Sequence, residues 1–93
     1  MNDNNDFSAL ARLFKVLAHP TRLCILTRLN VEECSVSELQ EELCCRQANV
    51  SQHLALLRRE DLVRTKKAGK KVLYELNRNN KELLFFTDKL IHF

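Results

Sequence analysis

Gln47, Asn49, Ser51, Gln52 and His53 crowd five side chains that donate and accept hydrogen bonds into one short stretch. Such groups suit base edges in a DNA major groove, where a carboxamide bonds adenine bidentately. Lys66, Lys67, Lys70 and Lys71 follow, four ammonium groups around Gly69. Beside a duplex they would bind phosphates and displace counterions. The cysteines Cys24, Cys34, Cys44 and Cys45 form a second set with chemical potential. Cys44 and Cys45 are adjacent, with Arg46 next, and both a cation and a helix N-terminus lower a thiol pKa. The vicinal pair suits an oxidant, a reactive sulfur species or a trivalent metalloid. A disulfide closed over one peptide bond is strained, which favours chelation. Cys24 and Cys34 are weaker sensing candidates; the alternative for Cys24, Cys34 and Cys45 is a small packing residue, and for Cys44 a neutral turn residue. Asp88 and His92, four apart, could share a metal, or form an incidental surface pair.

Several classes of function are excluded. The cysteines are not spaced as CxxC and the histidines are scattered, so there is no zinc-finger pattern. A single glycine rules out a Gly-rich phosphate loop. A thiol redox enzyme would also need a second base, so the chain reads as a non-enzyme. The longest apolar run, Leu83 to Phe86, is too short to span a membrane. The first six residues lack the basic and apolar regions of a signal peptide, so the expected location is the cytoplasm. Cysteines in such a compartment are not expected to form a disulfide framework.

With 93 residues, 45% of them hydrophobic, the chain reads as one globular domain over residues 1–93. Its net charge of +3 is unevenly spread. Residues 46–71 hold eight Lys/Arg against Glu60 and Asp61, whereas residues 1–45 hold four against seven acids. A basic segment after an acidic half suggests a polyanion-binding surface; a solvated charged face is the alternative.

Hydrophobic spacing supplies the elements that must position these groups. Phe7, Leu10, Ala11, Phe14, Leu17 and Ala18 predict a helix over about 6–18. Pro20 opens a second, with Leu23, Leu26 and Leu29, ending near Asn30. Ser35-x-x-Glu38 and Ser37-x-x-Gln40 both fit a capping box for a short third helix over about 36–43, burying Val36, Leu39 and Leu43. After the Cys44-Cys45-Arg46 break, a fourth helix over about 47–59 buries Val50, Leu54 and Leu57. The period then changes to a strand over 62–66, a turn at Lys67-Ala68-Gly69-Lys70 and a strand over 71–76 with Val72, Tyr74 and Leu76 on one face. A last helix spans about 79–92. Its apolar residues, Leu83 to Phe86 with Leu90, Ile91 and Phe93, exceed one core-facing stripe and point to a subunit interface; a helix wrapped by its own domain is the alternative. The fold class is therefore mainly α with a small β-hairpin: a winged helix-turn-helix of five helices and a two-stranded wing, as a homodimer.

The residues also resemble a known family. Leu17-Ala18-His19-Pro20-Thr21-Arg22-Leu23 with Ile25-Leu26 is similar to the start of the ArsR/SmtB-type bacterial repressors. So are Gln47-Ala48-Asn49-Val50-Ser51-Gln52-His53-Leu54 with Leu56-Leu57, and Asp61-Leu62-Val63 leading into a hairpin that ends Tyr74-x-Leu76. The resemblance covers about residues 7 to 90. It implies a homodimer joined through its first and last helices, here 6–18 and 79–92. Phe7, Leu10, Phe14, Leu83, Leu84, Phe86, Leu90 and Ile91 would then form the interface. It places Gln47, Ala48, Ser51 and Gln52 at DNA-contacting positions. Arg46 stands where the family has a Ser-like N-cap and joins that set as a cation.

The resemblance further implies release from an operator by an inducer, often a metal ion, yet neither family metal site is intact. Ser35-Val36-Ser37 replaces a Cys-x-Cys, and hydroxyls are poor ligands for soft metals. Arg78 and Asn80 replace an Asp and a His. The expected function is a homodimeric, sequence-specific transcriptional repressor released by a thiol-reactive species, metalloid or metal. Its partners are duplex operator DNA and a second copy of itself, with no membrane. The small inducer is open, as is any cofactor, with a thiophilic metal or metalloid at the cysteines as one reading and none as the other. A winged-helix protein-interaction module and a constitutive regulator without an inducer site remain alternatives.

Overall fold

The computed structural model describes residues 3–42 and 49–89. The element order is α1 (Asp3–Leu17), α2 (Pro20–Val31), α3 (Val36–Glu42), α4 (Asn49–Arg59), β1 (Val63–Ala68), β2 (Lys71–Leu76) and α5 (Lys81–Lys89). Among the described residues these are the five helices and two-stranded antiparallel wing that the sequence predicts. Among the described residues no helix is long and apolar enough to cross a membrane.

Local chemistry explains where the helices begin. His19, with extended backbone, caps α2 through its Nδ1, which accepts the Thr21 N–H at 3.2 Å, and Pro20 occupies the first turn. Of the two capping boxes the sequence offers, Ser35–Glu38 is the one formed. Glu38 Oε1 accepts the Ser35 N–H at 2.8 Å, and Ser35 Oγ accepts the Glu38 N–H at 3.3 Å. That hydrogen bond from the Ser35 backbone also holds the Glu38 carboxyl below its ordinary pKa.

Ile25, Leu26, Leu29, Leu39, Val50, Leu54, Leu57 and Leu83 form the fully enclosed centre of the core. Each contributes roughly 1.5–3 kcal/mol by removal from water. The helix α1 differs from its predicted stripe. It buries Leu13, Val16 and Leu17, while Phe7, Ala11 and Phe14 stay exposed, as does Ala18 just past its end. Leu23 of α2 is likewise exposed, and Ile25 takes a core position instead. Both helices carry more than one apolar face, and periodicity cannot rank them. In α3 Leu39 is buried and Val36 half-buried, while Leu43 lies outside the described residues.

The junction between α4 and the wing is built by backbone groups. Asp61 adopts a left-handed φ of 66°. Leu62 N–H donates to Leu57 O at 2.9 Å and Asp61 N–H to Arg58 O at 3.0 Å, a Schellman closure. Buried Asn77, at the end of β2, donates its Nδ2 to Asp61 O at 3.0 Å and accepts Asn79 N–H at 3.1 Å. Asn80 reaches the same Asp61 carbonyl at 3.1 Å and caps α5 by accepting Leu83 N–H at 3.0 Å. One carbonyl thus ties α4, the wing and α5 together.

In the hairpin, Ala68 pairs with Lys71, so β1 runs two residues further than expected and the turn shrinks to Gly69-Lys70, while β2 keeps its expected bounds. Gly69 has φ 68°, a conformation that suits the first residue of a two-residue hairpin turn and that L side chains rarely adopt. Val72, Tyr74 and Leu76 share a face, grading from exposed at the tip to buried at the base. Cys34 adds a third backbone pairing: it exchanges hydrogen bonds with Tyr74 at 2.8 and 3.1 Å.

Candidate nucleic-acid interface

Helix α4 buries Val50, Leu54 and Leu57 and turns Asn49, Ser51, Gln52, Ala55, Arg58 and Arg59 to solvent. The buried residues recur at four and three, so the outward stripe follows from helical geometry. Its first half is small and polar, and its last turn is cationic. Arg58 and Arg59 were absent from the predicted contact set. The signal for them is their spacing of seven from Ser51 and Gln52, two turns along the same face.

His53 sits differently from its polar neighbours on α4. Its imidazole is half-buried, with its ring centroid 4.4 Å from that of His19. Its Nδ1 accepts a hydrogen bond from Arg22 Nε at 3.3 Å. His53 lies three residues after Val50 and directly before Leu54, on the flank of the core stripe. It therefore ties α4 to the start of α2 through Nδ1, at the flank of the exposed face and not at its centre. Burial, then His19 and Arg22, push its pKa below the ordinary imidazole value, consistent with a neutral acceptor ring.

The wing also sorts its lysines. Lys66 Nζ lies 2.8 Å from Glu33 and 3.9 Å from Glu75, which also sits 3.7 Å from Arg64. Glu33 raises the Lys66 pKa. The four charges Arg64, Lys66, Glu33 and Glu75 sum to zero, so Lys66 braces the wing base. Lys67, Lys70 and Lys71 are exposed at the tip, with Lys71 near enough to Glu38 to lower that carboxyl's pKa. Among the described residues Lys67, Lys70 and Lys71 form no ion pair, which leaves the tip lysines for a phosphate backbone.

Arg46, Gln47 and Ala48 lie outside the described residues, as do Cys44 and Cys45. Of the other cysteines, Cys24 is exposed on α2 and Cys34 is buried. Burial pushes the Cys34 thiol up, away from thiolate chemistry, and its backbone is occupied by the wing. Cys34 is thus a packing residue, against the expectation that it could sense. Among the described residues no group of three His, Cys, Asp or Glu could hold a metal ion. Asp88 is exposed and His92 lies outside those residues. Both departures from the family metal sites have structural occupants. Ser35 is the α3 cap, while Asn80 caps α5 and Arg78 donates to Asn30 Oδ1 at 3.0 Å and to its carbonyl at 3.3 Å.

The expected interface helices need a further correction. Leu83 and Phe86 are buried in the protomer's own core. Leu10 and Leu84 are half-buried, and Leu90 and Ile91 lie outside the described residues. The residues left open are Phe7, 68% exposed, and Phe14, 44%, on α1, with Phe85, 50%, on α5. α1 and α5 pack together, which brings these rings onto neighbouring helices.

Comparison with known proteins agrees with this architecture. A helix-turn-helix domain family matches residues 17–66. The transcriptional activator HlyU of Vibrio cholerae is 46% identical over 65 residues, covering 70% of this chain and 60% of that protein. The arsenical resistance operon repressor of Staphylococcus xylosus is 37% identical over 71 residues, 76% of this chain and 68% of that one. The crystal structure of the transcriptional repressor BigR from Xylella fastidiosa has a TM-score of 0.83 at 29% identity, covering 94% of this chain and 88% of that chain. The chain spans 57–60% of the length of curated relatives such as HlyU.

Proposed function

The chain belongs to the ArsR/SmtB winged-helix family, and from that membership we propose that it is a homodimeric, sequence-specific DNA-binding transcriptional regulator of the cytoplasm. One observation carries the reading. The solvent face of α4 offers Asn49, Ser51 and Gln52 to base edges, while the exposed lysines Lys67 and Lys70 extend from a wing locked to the same helix through Asp61 and Asn77. Side chains on a helix read the major groove, and wing ammonium groups hold the flanking backbone. Repression is the proposed direction, in line with the two relatives named as repressors.

The dimer is proposed through Phe7, Phe14 and Phe85. Burying these rings would contribute roughly 1.5–3 kcal/mol each, and two recognition helices would then meet half-sites about one DNA turn apart. Inducer sensing is proposed at the Cys44–Cys45 pair; buried Cys34 takes no part.

The test is selection of binding sites from a random duplex library, followed by fluorescence anisotropy on the selected site. Binding should be salt-dependent, Gln52→Ala should relax one base preference by about 1–3 kcal/mol, and Phe14→Glu should yield monomers in sedimentation with weakened binding. No enrichment of any sequence, or capture by an acidic protein that duplex DNA does not compete away, would refute the proposal in favour of a protein-interaction module. Release unchanged by thiol-directed agents in a variant with both Cys44→Ser and Cys45→Ser would end the sensing reading alone.

A further inference from the structure

A cleft of about 690 Å³ runs between α1, the first turn of α2 and the C-terminal half of α4. Its apolar lining comes from Ala11, Val16 and Leu56. Among the described residues, Arg12, Lys15 and Arg22 stand around that lining, with Glu60 as the only acid. Arg12 is already matched, its Nε 2.8 Å from Glu60 Oε1. Among the described residues neither Lys15 nor Arg22 pairs with a carboxylate. Arg22 is nonetheless held in place. Its Nη1 donates to Val16 O at 2.9 Å and its Nε to His53 Nδ1 at 3.3 Å, both uncharged acceptors. A guanidinium fixed by neutral partners keeps its charge for an outside anion.

We propose that this cleft binds a small amphiphilic monocarboxylate, its head between Lys15 and Arg22 and its apolar body on Ala11, Val16 and Leu56. The surplus of two positive charges asks for an anion, and the apolar lining asks for a hydrocarbon body. A DNA phosphate would satisfy the charge and leave that lining in water. The volume falls within the range of small-molecule sites. Position on α1 keeps the cleft available in a dimer. Lys15 and Ser8 follow Phe14 and Phe7 by one residue, roughly 100° around the helix, so a partner covering the aromatic face leaves this flank open. The opposite wall is α4, where Leu56 stands one turn beyond Gln52.

The experiment is amide NMR of the isotope-labelled full chain, titrated with decanoate below its micelle concentration, with acetate and decanol as head-only and tail-only probes. Decanoate should give saturable shifts at Ala11, Lys15 and Leu56, at least about tenfold tighter than either fragment. Lys15→Glu, which reverses a head contact, and Ala11→Phe, which fills the lining, should each weaken it about tenfold or more. Both sites are exposed on α1, so the fold is retained, as circular dichroism would verify. Unsaturable shifts, shifts centred on Phe7 and Phe85, or equal binding by Lys15→Glu would overturn the proposal. So would duplex DNA moving these amides where decanoate does not. The titration contains no DNA in its first arms, so its failure leaves the regulator reading untouched.

Discussion

Replacing Lys67 and Lys70 with Gln should flatten the salt dependence of DNA binding, whereas replacing Lys66 should not. Each lysine–phosphate contact adds about 0.9 to the log–log slope of affinity against salt. Two lysines in each of two subunits therefore account for about 3.6 of that slope. Across a fourfold rise in salt, the wild type should lose roughly two powers of ten more affinity than the double variant. Lys66 differs because Glu33 at 2.8 Å and Glu75 at 3.9 Å already supply carboxylates. Its patch, counted with Arg64, is electrically neutral and attracts a polyanion weakly. Anisotropy titrations of each variant at several salt concentrations would measure the slopes. A Lys66→Gln slope reduced as much as that of Lys67→Gln would refute the division between a braced wing base and a binding tip. Slopes unchanged in all three variants would remove the wing from the DNA contact altogether.

Other predictions concern how the reading head is held. Asn77→Ala removes a donor to Asp61 O and an acceptor for Asn79 N–H at a buried site, so it should cost about 2–3 kcal/mol in urea unfolding; a loss under about 0.5 kcal/mol would contradict its role at the α4–wing junction. Asp61→Gly relieves a non-glycine residue at φ 66° and should stabilise by about 0.5–1 kcal/mol, with a rise in Tm as the readout. Acid should weaken the fold through His53. Its folded pKa is depressed below 6.5, so on acidification the unfolded chain takes up the proton first; the contribution is complete above pH 6.5 and is lost as pH falls below it. Urea titrations across that range should show the decline, and His53→Gln should lessen it; an unchanged profile in that variant would assign the decline to other groups.

The architecture was open to sequence reasoning because its signals are local. Pro20, the Ser35–Glu38 box, the Val50–Leu54–Leu57 stripe and Gly69 each act within a few residues, through backbone geometry that chain neighbours enforce. The outward polar face of α4 followed from the same stripe. The Schellman turn at Asp61 was less visible, since it depends on an aspartate accepting a left-handed φ where glycine is the usual marker.

The order of elements and the polar and basic character of the reading surface follow from the chain's local pattern, because periodicity and capping are properties of near neighbours. Folding selects which member of each set is left unengaged. His53 and Lys66 look like their neighbours in sequence, yet one packs its ring at a tilt against His19 and the other pairs with Glu33, partners 34 and 33 positions away. Leu83 and Phe86 sit inside while Phe85, between Leu84 and Phe86, faces out, because α1 and the core cover one side of α5 and leave the other bare. Those choices depend on long-range packing and on charges brought together by folding, and no spacing rule along the chain encodes them.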